Sequence, residues 1–140
     1  MQDKIISTAL SQWNETGIIG TKSNPEILAY FEASGFPNIQ DDDIAWCAAF
    51  VNWVLAKCGI QGTEKLLARS FLNWGKKTET PQVGDIVVLW RISPDSIYGH
   101  VGFYVSETVS SVYILGGNQA DSVNITPYPK TQVLGYLTAN

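Results

Sequence analysis

Trp46-Cys47-Ala48-Ala49-Phe50-Val51-Asn52-Trp53-Val54-Leu55-Ala56-Lys57-Cys58-Gly59 is the stretch that decides how this chain of 140 residues is built. Cys47, Phe50, Val51, Val54, Leu55 and Cys58 recur at the i, i+3, i+4, i+7, i+8, i+11 spacing of a helix edge that faces a core. Asp41, Asp42 and Asp43 stand ahead as N-cap and first-turn acids, which predicts a helix from Ile44 to Cys58, and Gly59 supplies its C′ stop. Cys47 then lies in the first turn.

Working outward, the first half of the chain reads as helical and the second as stranded. Ile5, Ile6, Ala9, Leu10 and Trp13 share one helical face. Asn24-Pro25 is an N-cap followed by proline at N1, opening a helix that Gly35 closes. Thr63 caps a fourth helix through Leu67, Phe71 and Trp74 to Gly75. Extended runs follow at 85–91, 99–106, 112–118, 123–126 and 133–137, with Pro81, Pro94, Pro127 and Pro129 between elements. Helices first and closely spaced strands afterwards predict an α+β domain with an antiparallel sheet. No internal repeat is present, and 140 residues at 45% hydrophobic content suit a single domain, 1–140.

The chemistry sits where the two halves meet. A thiol is a weak nucleophile until a helix N-terminus or an imidazole converts it to thiolate, and Cys47 has the first of these. The chain's one histidine, His100, can supply the second. Each residue alone has a plainer reading, Cys47 as a small buried hydrophobe and His100 as a satisfied polar residue. Cys58, in the last turn, keeps the plain reading.

His100 lies on an alternating run in which Val101, Phe103 and Val105 take one face and His100, Gly102 and Tyr104 the other. If 99–106 and 112–118 form a hairpin, its symmetry sets His100 opposite Asn118 to within a residue or two and Gly102 opposite Gly116, leaving an open floor beside the imidazole. Asn118 would then orient the ring as the third member of a Cys-His-Asn arrangement, with Gln119 and Asp121 as competing candidates.

Three blocks in order resemble the NlpC/P60 and CHAP group of papain-like cysteine peptidases and amidases: Trp46-Cys47-Ala-Ala-Phe-Val, Pro81-Gln-Val-Gly84-Asp85-Ile-Val-Val and Gly99-His100-Val-Gly-Phe-Tyr-Val. Asn24-Pro25-Glu-Ile, Trp74-Gly75 and Leu115-Gly-Gly-Asn118-Gln extend the likeness to a compact bacterial and phage family within the group. The resemblance implies a papain-like α+β core with the thiol at a helix tip facing the sheet. It further implies hydrolysis of an amide in bacterial cell-wall peptidoglycan, with Cys47 as nucleophile, His100 as base and Asn118 as orienter. At the third position members of the group carry histidine, glutamate or asparagine, and Asn118 is the match here. Trp46, Trp90, Tyr98 and Gln119 are the candidate substrate contacts, and Asp85 reads as a turn residue.

Composition excludes several other classes. Nine basic against 13 acidic residues give a net charge of −4, with no basic cluster beyond Lys76-Lys77, so nucleic acid is not an expected partner. One histidine and two distant cysteines do not assemble a zinc set, and Asp41-Asp42-Asp43 lacks the spacing of a calcium loop, so no metal or cofactor is expected. The cysteines, 11 residues apart on one helix, are separated by roughly 16 Å against a disulfide limit of about 7 Å, so both thiols are expected free. No apolar stretch reaches the roughly 20 residues of a membrane span, and the N-terminus lacks a signal-peptide pattern. These features predict a monomer made in the cytoplasm that reaches the wall by release or non-classical export, with an immunity or delivery protein as a conceivable partner. Two other readings share the polymer: a glycosidase with Glu15 as acid and a second carboxylate from Asp41 to Asp43, or an inactive wall-binding or partner-binding module.

Overall fold

A computed structural model of the chain describes residues 2–13, 15, 24–36 and 46–139. Three helices come first, α1 (Gln2–Leu10), α2 (Pro25–Ala33) and α3 (Cys47–Lys57). Six strands follow, β1 (Lys76–Thr78), β2 (Ile86–Trp90), β3 (Gly99–Glu107), β4 (Ser111–Gln119), β5 (Ser122–Pro129) and β6 (Val133–Thr138). They form one antiparallel sheet in the order β1-β6-β2-β3-β4-β5. The expected α+β class is the one found.

Local rules account for the helix ends. Asn24 Oδ1 accepts from the Glu26 N–H at 2.9 Å with Pro25 at the first helical position. Gly59 takes φ +74° after α3, and the Ile60 and Gly59 N–H groups close on the Leu55 and Ala56 carbonyls in a Schellman pattern. The start of α3 differs from expectation. Its N-cap is Trp46, which makes no side-chain cap bond, and Cys47 is the first helical residue. Asp41, Asp42, Asp43 and Ile44 lie outside the described residues.

Two further expectations are corrected. The segment after Thr63 forms only a 3-10 turn over Ala68–Asn73. Asn52 accounts for part of this: its side chain binds the Lys65 carbonyl and the Glu64 N–H, diverting the backbone that a helix from Thr63 would need. Pro127 and Pro129 lie inside β5 rather than beyond it. Since β5 is an edge strand, a missing N–H on its outer side breaks no ladder bond.

The sheet is buried on both faces. The helices cover one, where Phe50, Val54 and Leu55 of α3 join Ile86, Val88, Val101, Phe103 and Leu115 in the main core. On the other face Val87, Leu89, Tyr104, Val112 and Ile114 form a smaller cluster, packed by Tyr128, Val133 and Tyr136. By alternation His100 shares this second face with Tyr104, whereas Cys47 arrives from the helical side. A local break in the sheet brings them together.

Candidate active site

That break is made by glycines and a bulge. The pairing of β3 with β4 runs from Glu107↔Val112 to Phe103↔Leu115 and stops before His100. Beyond it β4 pairs with β5 as Gly116↔Asn124 and then Gln119↔Ser122, one extra residue having entered β4. Gly117 receives the tip of α3: a Cβ there would lie 2.6 Å from the Trp46 ring and 2.8 Å from Phe50 Cβ. Only a residue without a side chain lets the first turn of α3 seat so closely on the sheet. The thiol at that turn is buried close to the His100 side chain and to the Val101 and Ala48 N–H groups, near enough for all three to act on its acidity.

Gln119 accepts a hydrogen bond from the His100 ring. Gln119 Oε1 lies 2.9 Å from His100 Nε2. The amide orientation is determined by its other end, because the Gln119 Nε2 donors face the Ile114 and Asn124 carbonyls at 3.2 and 2.8 Å and Asn124 Oδ1 at 2.9 Å. With every partner on that side an acceptor, the amide oxygen must face the imidazole, which assigns the proton to Nε2 and directs Nδ1 to the sulfur. Tyr128 Oη, 3.3 Å from Nε2, receives the second branch of the same N–H, its ring tilted over the imidazole with centroids 5.2 Å apart.

Asn124 extends this chain. Its Nδ2 donates to the Gln119 carbonyl and Ser122 Oγ, while Thr126 Oγ1 donates to its Oδ1. The turn that carries the assembly is strained: Asn118, Ala120 and Asp121 take φ values of +59°, +50° and +60°. Such values are uncommon outside glycine and concentrate at functional sites.

Among the described residues no hydrogen bond joins Asn118 or Asp121 to His100. The expected hairpin symmetry holds at Tyr104↔Ile114 and Phe103↔Leu115, but the extra residue in β4 beyond Gly116 moves the orienting position by one. The open floor expected at Gly116 is also occupied, since a Cβ there would lie 2.7 Å from Gln119 Oε1 and 3.5 Å from His100 Nε2. Gln119, expected as a substrate contact and as a competing orienter, is buried against the ring and also borders the cavity beside His100.

Electrostatics follows from this packing. Burial opposes charge on Cys47, yet the hydrogen bond and charge of His100, with the Val101 and Ala48 N–H groups, hold the thiol below its ordinary pKa. Burial likewise disfavours the imidazolium, but the bond and charge of Cys47 and the bond to Gln119 hold His100 above its usual value. The two together favour a thiolate–imidazolium pair. Burial and the Cys47 charge push Tyr128 up to about 12, so its phenol stays neutral at physiological pH.

The remaining expected contacts divide. Trp46 is fully buried beneath Gly117 and against Tyr30, so it packs the helix tip and does not reach a substrate. Trp90 borders a cavity of about 410 Å³ beside His100, together with Arg91, Tyr128 and Gln132. Tyr98 is 55% exposed on the β2–β3 loop, away from that cavity. Asp85 holds a turn, accepting from the Gln82 N–H at 2.8 Å. Cys47 and Cys58 are both free, and Cys58 sits buried near Thr8 Oγ1. Glu15 accepts from Asn24 Nδ2 at 2.9 Å at the head of α2, which accounts for its carboxylate structurally. Tyr128 falls outside the expected run 123–126, whereas Asn124 lies within it but carries no signal of its role; period-2 alternation carried on to Pro129 puts Asn124, Thr126 and Tyr128 on one face.

The chain belongs to the CHAP domain family, which matches residues 39–118. None of the curated proteins is similar enough to count as a match. Among solved structures, the fold resembles the peptidoglycan hydrolase RipB from Mycobacterium tuberculosis, at a TM-score of 0.58 and 17% identity over 99% of this chain and 64% of that one. It also resembles a protein similar to lipoprotein of the NLP/P60 family from Staphylococcus aureus (TM-score 0.54, 18% identity), covering 96% of this chain and 40% of the other. RipD from M. tuberculosis, described as a non-catalytic NlpC/p60 domain protein adapted to peptidoglycan binding, superposes at 0.51 with 17% identity, over 96% of this chain and 93% of RipD. The chain thus spans well under two thirds of the staphylococcal relative. Among the described residues no helix is long and apolar enough to cross a membrane.

Proposed function

We propose that the protein is a cysteine hydrolase of peptidoglycan that cuts an amide bond of the wall peptide. The observation that carries this reading is the pairing of Cys47 with His100, with both pKa values displaced toward the charged forms in a buried setting. A purely binding module has no need of such a pair.

In the proposed cycle the Cys47 thiolate attacks the amide carbonyl carbon, forming a C–S bond, and the charge passes to the carbonyl oxygen. The Cys47 N–H at the positively polarised start of α3 helps hold that oxyanion. His100 gives its proton to the departing amine as the C–N bond breaks, then takes one from water, whose oxygen attacks the thioester; the C–S bond breaks, releasing the acid and restoring the thiolate–imidazolium pair. Gln119 and Tyr128 keep the ring in register throughout. A thiol–imidazole pair suits acyl transfer and offers no acid pair for cleaving sugars. The same chemistry serves both amide classes, the bonds within the stem peptide and the bond between stem and sugar.

Mass spectrometry of purified walls after digestion tests the reading. New free amines without new reducing ends are expected, and Cys47→Ala should abolish them while leaving the circular dichroism spectrum unchanged. Reducing ends from a pure preparation would point to a glycosidase. Tight wall binding with no products would point to a module of the kind RipD is described to be.

A further inference from the structure

The cavity of about 410 Å³ beside His100 lies on the Nε2 side of the ring, where Gln119 and Tyr128 sit, and its walls are mostly polar. Apart from His100, it contains one cationic side chain, Arg91, and no carboxylate. In a protein with a net charge of −4 that is a local reversal of sign. Among the described residues the Arg91 guanidinium has no ion pair and no hydrogen bond, yet its charge reaches both His100 and Tyr128 and opposes protonation of the ring. Arg91 is exposed at the edge of the cavity, and its charge is the smallest of the influences on the ring, so the guanidinium is free to meet an anion that arrives with the substrate.

The Arg91 backbone, from which the exposed side chain projects, is held in place. Its N–H donates to the Tyr98 carbonyl at 3.3 Å, and its carbonyl accepts from the Ser93 N–H at 2.8 Å and from Ser96 Oγ at 2.6 Å. The bond from Ser93 back to Arg91 spans Ile92 at φ +71°, a γ-turn of the rare strained hand, in a β-branched residue that disfavours it. Arg69 then clamps the loop through the Ser93, Pro94 and Tyr98 carbonyls at 3.1, 2.9 and 2.9 Å. Strain of this kind persists only where the surroundings over-determine it.

From this juxtaposition we propose that the cavity is a carboxylate subsite in which Arg91, with Gln132 beside it, binds a free carboxylate of the wall peptide lying across His100. The inference rests on the proposed peptidoglycan activity for its ligand class. A planar guanidinium suits a carboxylate through paired N–H···O bonds, and a bound anion there would relieve the repulsion between Arg91 and the imidazolium. Peptides whose carboxylate is converted to the carboxamide would lose both effects.

The test uses stem peptides with free carboxylates and the same peptides with those groups amidated. Binding is measured by calorimetry to Cys47→Ala and to the double variants Cys47→Ala/Arg91→Met and Cys47→Ala/Arg91→Lys, and wall hydrolysis is followed for the enzyme with Cys47 intact. The Arg91→Met change should weaken the carboxylated peptide about tenfold, leave the amidated peptide within about twofold, and be partly restored by Arg91→Lys. Equal affinity of the two peptides, equal loss of both, or binding of neither would overturn the subsite. Hydrolysis without carboxylate preference removes the subsite and leaves the hydrolase. Arg91-dependent carboxylate preference without hydrolysis does the reverse.

Discussion

Removing the acceptor that faces His100 is the sharpest perturbation the geometry offers. In Gln119→Leu the ring loses its 2.9 Å partner while Tyr128 remains at 3.3 Å as the weaker branch. A hydrogen bond to a charged group contributes about 1.5–3 kcal/mol, which at about 1.4 kcal/mol per decade predicts a fall in kcat/KM of about 10- to 150-fold. The same change strips donors from the Ile114 and Asn124 carbonyls, so the melting temperature should fall as well. Kinetics are therefore measured well below the transition, by release of free amines from walls. Asn118→Ala, with no bond to the ring, should stay within about threefold of the parent. The kcat pH profile adds a readout that lost stability alone does not move. The bond to Gln119 favours the protonated ring, so its loss lowers the His100 pKa and shifts the basic limb toward lower pH. If Asn118→Ala does more damage than Gln119→Leu, or if the basic limb stays where it was, the orienting role of Gln119 is wrong.

Other measurements follow from the same site. Iodoacetamide at neutral pH should modify Cys47 much faster than Cys58, since Cys47 is the thiol held low by His100; equal rates, followed by peptide mapping, would contradict the ion pair. Activity should be bell-shaped in pH, rising as pH passes the lowered Cys47 pKa and falling as it passes the raised His100 pKa; a single rising limb near the ordinary thiol pKa would show an unactivated cysteine. Gly117→Ala forces a Cβ to within 2.6 Å of the Trp46 ring and 2.8 Å of Phe50 Cβ, and should cost about 1–3 kcal/mol in urea unfolding together with most of the activity; wild-type stability would mean that the helix tip is not seated as tightly as described.

The placement of Cys47 on a helix and of His100 on a strand was legible in the sequence because each rests on a short-range pattern. Helical periodicity puts Cys47 at the head of α3, and strict alternation puts His100 on a strand of the following sheet. The composition, the order of helices before strands, and the caps at Asn24, Gly35 and Gly59 are equally local, since each is decided within a few residues by hydrogen bonding and φ preference. What only the tertiary structure decided is which side chain touches which. The choice of Gln119 over Asn118 depends on one extra residue in β4, and nothing in Leu115-Gly-Gly-Asn118-Gln states that the strand bulges there. Trp46 became core because α3 seats on Gly117, and Tyr128 reached His100 because an edge strand tolerates Pro127 and Pro129. The 3-10 turn at Ala68–Asn73 replaced a helix where Asn52, from another element, bonds the intervening backbone. Periodicity is a property of the chain, whereas register and side-chain contact are set by the whole sheet at once, because a slip of one residue redirects every side chain beyond it.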